Sequence, residues 1–312
     1  MEETPLHSNA DLSPQRLTVH EPPLVSIVTP SYQQGRFLRQ CIESVLAQDY
    51  PHIEYCVLDG GSTDGSREIL ESYKDRFYWK SAPDGGQTHA INTGLARARG
   101  TILAYLNSDD LLLPGAVSRV VQAWERQPEA DLFYGRANYI DACGDVLREY
   151  PTRPFQIKDF RGRCYICQPA AFWHRRVVDR LGLLDEKFQF GMDYEYWQRI
   201  AAHNGVIVFL DELLACSREY SDTKTISRRD KVYQDIFASQ WLHWGSVHRN
   251  WWAGRIAYLR DEKNNFWARL VPESRRRELA KWLEKNVRQE WPYWARLSRA
   301  FGRKQAKPPA KI

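Results

Sequence analysis

The chain reads as an α/β protein built on a mostly parallel sheet flanked by helices, and three observations lead there. Runs of strand length alternate with segments of helical period from residue 25 onward. The run Thr101-Ile102-Leu103-Ala104-Tyr105 is continuously apolar, as strands buried on both faces are. The residues just beyond several of these runs are acidic, namely Asp59, Asp84 and the pair Asp109-Asp110.

Residues 25–29 form a first strand, stopped by Pro30. Phe37, Leu38, Cys41, Ile42, Val45 and Leu46 then recur at the helical period and supply one buried face. Residues 53–58 make a second strand ending at Asp59, 66–73 a short helix, 77–80 a third strand, and 90–98 another helix before the strand 101–105. Beyond Pro114 a helix runs to about residue 125, followed by a strand at 131–135. A helix at 194–202 leads into a strand at 206–210. Right-handed crossovers between parallel strands would gather Asp59, Asp84, Asp109 and Asp110 at one edge of the sheet, where open α/β sheets bind ligands.

Three segments are expected: a flexible leader over 1–22, a main domain over 23–230, and a Trp-rich basic helical appendage over 231–312. The chain has 312 residues, 43% hydrophobic and 27% charged, which is ordinary for a globular protein and long enough for a large core. Six scattered cysteines and a start with neither basic nor apolar signal character point to a reduced, cytoplasmic protein. No uncharged apolar stretch is long enough to span a bilayer. Cys164-Tyr165-Ile166-Cys167 lacks a second pair and His174 completes no ligand spacing, so these thiols read as small buried hydrophobes.

Two unit charges about 4 Å apart repel by roughly 4 kcal/mol at an effective dielectric near 20, a cost that a divalent cation would relieve at Asp109-Asp110. A solvated turn ahead of Pro114 is the alternative. The stretch Asp59-Gly60-Gly61-Ser62-Thr63-Asp64-Gly65-Ser66 lacks both the GxGxxG spacing and a following Lys-Ser or Lys-Thr. A strand-end carboxylate would repel pyrophosphate, so Asp59 suits a ring N–H of a base, with the glycines allowing close approach. Capping the next helix is its other reading, which Asp64 or Ser66 could perform equally well.

Pro30-Ser31-Tyr32, Glu43-Ser44-Val45-Leu46-Ala47-Gln48, the Asp59 to Ser66 stretch and Leu106-Asn107-Ser108-Asp109-Asp110 together resemble glycosyltransferase family 2, with its GT-A fold. The resemblance continues through Asp84-Gly85-Gly86, Asn92-Thr93-Gly94, Gln168-Pro169-Ala170 and Gly191-Met192-Asp193-Tyr194-Glu195-Tyr196-Trp197, spanning about 23–225. It implies transfer of a sugar from a nucleotide diphosphate donor with inversion, assisted by Mn2+ or Mg2+. Pro30, Tyr32 and Asp59 would hold the nucleotide base. Thr29, Gly60, Asp84, Asn92 and Asn107 would join the donor site, and Asp109 and Asp110 would serve ribose, pyrophosphate and metal. Asp193 would be the base, or alternatively the N-cap of a helix starting near Tyr194, whose dipole would lower its pKa.

Three positions depart from the family pattern: Asn107 at the first Asp of the DxD motif, Met192 before the base, and Tyr220 where a His often follows Arg218. Asn107 removes one charge, which implies weaker metal binding or a ribose held by an amide. Arg218 and Lys224-Thr225 remain for diphosphate or acceptor contacts.

From Arg275 onward twelve Lys and Arg face three Glu, so this end should seek anionic surfaces. Leu279, Trp282, Leu283, Asn286, Val287 and Trp291 recur at helical spacing, giving a helix that either lies in a membrane interface or packs on the main domain. The expected partners are a nucleotide sugar, with UDP preferred by family frequency and dTDP and GDP open, and a glycan or lipid-linked acceptor for a cell-surface polysaccharide. That acceptor would place the protein at the inner face of the cell membrane. A sugar nucleotidyltransferase would need a basic Gly-rich triphosphate loop after Pro30, which is absent. Nucleic acid is not expected, because acidic strand ends repel phosphate.

Overall fold

The structure, a computed structural model, describes residues 21–221, 223, 227–261, 272–275 and 278. The leader up to residue 20, Lys224, Thr225 and the Trp-rich basic helix at 279–291 lie outside the described residues.

The first half alternates as its periodicity requires: β1 (Val25–Ser31), α1 (Gly35–Leu46), β2 (Ile53–Asp59), α2 (Ser66–Tyr73), β3 (Tyr78–Ser81), α3 (Gln87–Arg97) and β4 (Ile102–Tyr105). Then come β5 (Leu111–Leu112), α4 (Ala116–Arg126), β6 (Leu132–Ile140), β7 (Val146–Glu149), α5 (Ile157–Phe160), β8 (Ala171–His174) and α6 (Arg175–Leu181). The described chain continues with α7 (Met192–Ala202), β9 (Ile207–Arg218), α8 (Arg229–Trp244) and α9 (Arg249–Asp261).

These strands form one sheet in the order β3-β2-β1-β4-β8-β6-β9-β5, with β7 added beside β6. β1 is parallel to β2 from Val25↔Ile53 to Ser31↔Asp59, β2 to β3, and β1 to β4. β8 enters antiparallel between β4 and β6, which sets β6 running in the direction of β4, and β9 is parallel to β6. The carboxyl ends of β1, β2, β3, β4, β6 and β9 therefore share one edge. The start of β8 meets them there, because an antiparallel strand begins where its neighbours end.

Alternate residues of β1 feed two cores, as the two-residue period of a strand dictates. Val25 and Ile27 pack with Leu38, Ile42 and Val45 of α1, Leu70 of α2 and Val117, Val120 and Val121 of α4. Val28 faces the other way, onto Ile91 and Leu95 of α3 and the aromatic group of Trp173, Tyr196 and Trp197. Gly94 is what lets α3 lie on β1: a Cβ there would sit 2.4 Å from a Val28 methyl.

Beyond residue 230 the composition predicts a separate appendage, yet Tyr233, Ile236, Phe237 and Trp252 of α8 and α9 share the core that holds Trp173 and Trp197. A polar lock joins α8 to α7. Glu195, fully buried on α7, is paired with Arg199 one turn on and with His243 Nε2 of α8 at 2.7 Å. Next to it Gln198 donates to Ser239 Oγ at 2.7 Å and accepts from Trp244 Nε1 at 2.9 Å. No described helix is long and apolar enough to cross a membrane.

Burial pushes the Glu195 carboxyl up, but the bonds from His243 and Arg199 outweigh it and hold the group below the usual range. A carboxylate lowered in the folded state stabilises above its unfolded pKa, and that contribution fades as pH falls below about 4.5. Replacing Glu195 with Ala strands Arg199 and should cost about 3–5 kcal/mol in urea unfolding at neutral pH. The wild-type and variant curves should converge as the solution is acidified.

Candidate active site

A cleft of about 610 Å³ opens at the carboxyl edge of the sheet. Of the residues singled out in the sequence, Pro30, Tyr32, Gly60, Asp84, Asn107, Asp109, Asp110 and Asp193 all line it. Thr29, Asp59 and Asn92 do not.

At the ends of β1 and β2, the Gly60 N–H donates to Ser31 O at 2.8 Å, bringing the two strand ends together. Tyr32 stands 64% exposed at the mouth. A Cβ on Gly60 would lie 3.1 Å from Tyr32 Cδ2 and 3.4 Å from either oxygen of Asp84, so only a glycine leaves this slot open. Asp84 is itself held by the Gly86 N–H at 2.7 Å, and Gly86 adopts a φ of 100°, which favours glycine.

Asp59 sits behind this slot, 2% exposed. Its Oδ1 accepts from Ser62 Oγ at 2.6 Å, and its Oδ2 from Ser81 Oγ at 2.6 Å and from the N–H groups of Ser62 and Gly61 at 2.9 and 3.2 Å. This carboxylate shapes the Gly60-Gly61 turn rather than facing the cleft. It does not cap α2 either. The N-cap is Gly65, with no side-chain cap; Asp64, one residue earlier, accepts from Ser66 N and Oγ with one oxygen and from Gly35 N of α1 with the other.

Thr29 and Asn92 are corrections of a plainer kind. Thr29 is completely buried on the α1 face, where its hydroxyl meets Tyr55 OH at 3.0 Å. Asn92 clasps the loop after α6: its Nδ2 donates to Leu184 O at 2.8 Å and its Oδ1 accepts from Leu184 N at 3.1 Å. In both residues the polar group is spent on the scaffold.

Beyond β4, Asn107 has its amide fully engaged. Oδ1 accepts from Gln87 Nε2 at 2.7 Å, while Nδ2 donates to Asp110 Oδ2 at 3.1 Å and Gln168 Oε1 at 3.0 Å. Both Nδ2 hydrogens are used, so an amide grip on ribose would break an internal bond. Asp110, 4% exposed, also accepts the Arg218 N–H at 2.9 Å. Burial first and the Asp109 charge second push its carboxyl well above the usual carboxylate range, against the bonds from Arg218 and Asn107.

Arg218 is the clamp of this region. Its Nε donates to Asp109 O at 2.8 Å, Nη1 to Asp141 O at 2.8 Å and Ala142 O at 3.1 Å, and Nη2 to Gln40 Oε1 at 2.9 Å. Most of its donors are therefore committed to backbone and to Gln40, although it lines the cleft. Tyr220 donates its hydroxyl to Asp109 Oδ2 at 2.8 Å and accepts from Gln34 Nε2 at 2.9 Å. Burial and the Asp109 charge push this phenol up to about 12, so it stays a donor to that carboxylate.

Asp193 lies inside the first turn of α7, whose N-cap is Gly191, so the alternative reading of Asp193 as the cap does not hold. Its Oδ1 accepts the Tyr194 N–H at 2.7 Å. Burial raises its carboxyl above the usual range, and the nearby Asp235 charge adds to that.

Several cleft residues escaped the sequence reading. Ser31 Oγ and Gln34 Oε1 are buried, line the cleft and have no hydrogen-bond partner among the described residues. Buried polar atoms are seldom left unpaired, so this pair points to a ligand. Gln168 donates to Tyr105 O at 2.7 Å and anchors Asn107. Ser31 and Gln168 stand within quoted motifs; Gln34 carried no signal.

Could these residues hold a divalent cation? Four carboxylates line the cleft, while the Arg218 charge is turned onto carbonyls. That negative balance, with Asp109 pressed against a destabilised Asp110, fits a cation. No group of three or more His, Cys, Asp or Glu among the described residues forms a closed cage. Mg2+ and its relatives take one or two carboxylates and complete their shell from substrate phosphates and water.

Residues 26–182 match the family described as glycosyl transferase family 2. A glycosyltransferase of Rickettsia prowazekii is 26% identical over 231 residues, 69% of this chain and 71% of its own length. One of Rickettsia felis is 29% identical over 238 residues, and there the chain spans only 38% of the relative. Among solved structures, S. aureus TarS in complex with UDP-GlcNAc aligns with a TM-score of 0.58 at 15% identity, over 82% of this chain and 79% of that one. The mannosyltransferase PcManGT from Pyrobaculum calidifontis, in complex with GDP-Man and Mn2+, aligns at 0.55 and 16% identity, over 90% and 80%. Both share the fold.

The bonds of Asn107 generate a test. In Asn107→Asp, acceptor would face acceptor at Asp110 and Gln168, so the metal-free protein should lose about 1–3 kcal/mol in thermal or urea unfolding. Added Mn2+ should recover more stability in the variant than in the wild type.

Proposed function

The chain belongs to glycosyl transferase family 2, and from that premise we propose that it moves a sugar from a nucleotide diphosphate donor to a hydroxyl of a glycan or lipid-linked acceptor, with inversion. One observation carries the reading: Asp109, Asp110 and Asp193 line a single cleft at the carboxyl edge of the sheet. The first two suit a cation and diphosphate, the third suits a proton.

The base slot is made by Pro30, Tyr32, Gly60 and Asp84, with Ser31 Oγ and Gln34 Oε1 as unpaired partners for the nucleoside. Asp109 and Asp110 would hold Mn2+ or Mg2+, which offsets the charge growing on the diphosphate as the sugar bond breaks. Asp193 takes the proton of the attacking hydroxyl as that oxygen bonds to the anomeric carbon. Attack on the face opposite the departing diphosphate inverts the centre. A carboxyl raised above its ordinary range is a better base than an exposed Asp, provided it remains ionised at the working pH.

UDP is the preferred nucleotide, supported by family frequency and by the UDP-GlcNAc bound to TarS; the GDP-Man bound to PcManGT keeps GDP as the second choice. A lipid-linked acceptor would put the protein at the inner face of the cell membrane, building an envelope polysaccharide.

Screening UDP-, GDP- and dTDP-sugars with Mn2+ or Mg2+ by thermal shift should find one that stabilises by about 2.7 kcal/mol at 100 times its dissociation constant. With that donor, Asp193→Asn should lose roughly 10²–10⁴-fold in transfer rate while donor affinity stays within about twofold. Full transfer by that variant would remove Asp193 from the mechanism.

A further inference from the structure

Asp235 lies on α8, outside the cleft lining and beyond the matched family segment. Its Oδ2 nevertheless accepts three consecutive backbone N–H groups, from Gln189 at 2.9 Å, Phe190 at 2.8 Å and Gly191 at 3.2 Å. Gln189, Phe190, Met192 and Asp193 line the cleft. One carboxylate oxygen from a different helix thus fixes the strip of cleft wall that leads into the base. A second observation shows that the chain makes room for it: a Cβ on Gly191 would lie 3.2 Å from Asp235 Cβ, tighter than side chains normally approach.

The same group bears on the charge of Asp193. Sitting in the first turn of α7, Asp193 feels the positive end of the helix dipole, which favours its ionised and weakly basic form. Asp235 brings a negative charge to that helix end. The other titratable groups facing Asp193 are Tyr105 of β4, Tyr150 beyond β7, and Cys164 and Cys167 before β8. Burial keeps these phenols and thiols protonated, so Asp235 is the charged neighbour in the set. Burial raises the Asp235 carboxyl above its ordinary range, while the N–H groups of 189–191, and Lys231 one turn earlier on α8, act to hold it ionised.

We propose that Asp235 is a positioning residue for transfer: it pins the 189–191 backbone that presents Asp193 and, by its charge, offsets the helix dipole that would otherwise weaken the base. The inference rests on the reading of Asp193 as the base. It adds a second carboxylate that touches no substrate and acts through the first.

Two substitutions separate geometry from charge. Asp235→Asn keeps an oxygen that can accept the three N–H groups but removes the charge; Asp235→Ala removes both. Carboxyl ¹³C NMR on the metal-free protein, with Asp193 assigned through Asp193→Asn, should show its pKa falling by roughly 0.5–1 unit in Asp235→Asn. Hydrogen exchange of the 189–191 amides should stay near wild type in Asp235→Asn and accelerate by roughly tenfold or more in Asp235→Ala. A purely structural Asp235 would alter exchange and leave the Asn titration in place. An Asp193 pKa unchanged in Asp235→Asn, or exchange unchanged in Asp235→Ala, overturns the inference without touching Asp193 as base. Transfer retained by Asp193→Asn withdraws the base itself, and the positioning role with it, whatever the two spectroscopic results.

Discussion

With a parallel neighbour on each edge and a core on each face, β1 is the strand that the rest of the molecule is hung from. Its pairing with β2 places Ser31 level with Asp59, and its pairing with β4 sends the chain past Tyr105 into Asn107, Asp109 and Asp110. A shift of one residue in either register would exchange Ile27 and Val28 between the two cores. Burial therefore enforces the alignment, and the alignment assembles the cleft. The slot at Gly60, the acidic pair and the Arg218 clamp all sit where they do because parallel strands end together.

Placing so many carboxylates in one cleft is electrostatically unfavourable, and the structure manages the cost with uncharged donors. Asn107 supplies an N–H to Asp110, Tyr220 an O–H to Asp109, and the Arg218 backbone a further N–H, while the guanidinium is tied to carbonyls. The negative field in the cleft is thus tempered without being neutralised. Active sites commonly store this kind of tension, and the cation proposed for this cleft, with a diphosphate, would release it.

Much of this architecture is legible in the sequence itself. The helical spacing of Phe37, Leu38, Cys41, Ile42 and Val45 marks the buried face of α1, and the apolar run ending at Tyr105 marks β4. Other elements left too little pattern. β8 has four residues and runs antiparallel within an otherwise alternating order, and β7 is exposed along its whole length. Within the site, residue type revealed which groups were acidic but not which way they faced. Asp59 and Asp84 looked alike in sequence; one is consumed by Ser62, Ser81 and two backbone N–H groups, while the other opens on the cleft. Glu195 sat two residues from Asp193 with nothing to mark it as the partner of His243, because that contact closes over 48 residues of chain.

That closure bears on where the working unit ends. The segment with a family match stops at residue 182, before Asp193, Arg218 and Asp235. Shortening the chain near residue 230 would unroof Tyr196 and Trp197 and leave Glu195 without His243. The helices after residue 228 are therefore closer to a keystone than to a tail, because the wall holding Asp193 leans on them. A substitution in these helices can therefore reach the wall around Asp193 without touching the strands that carry Asp109 and Asp110.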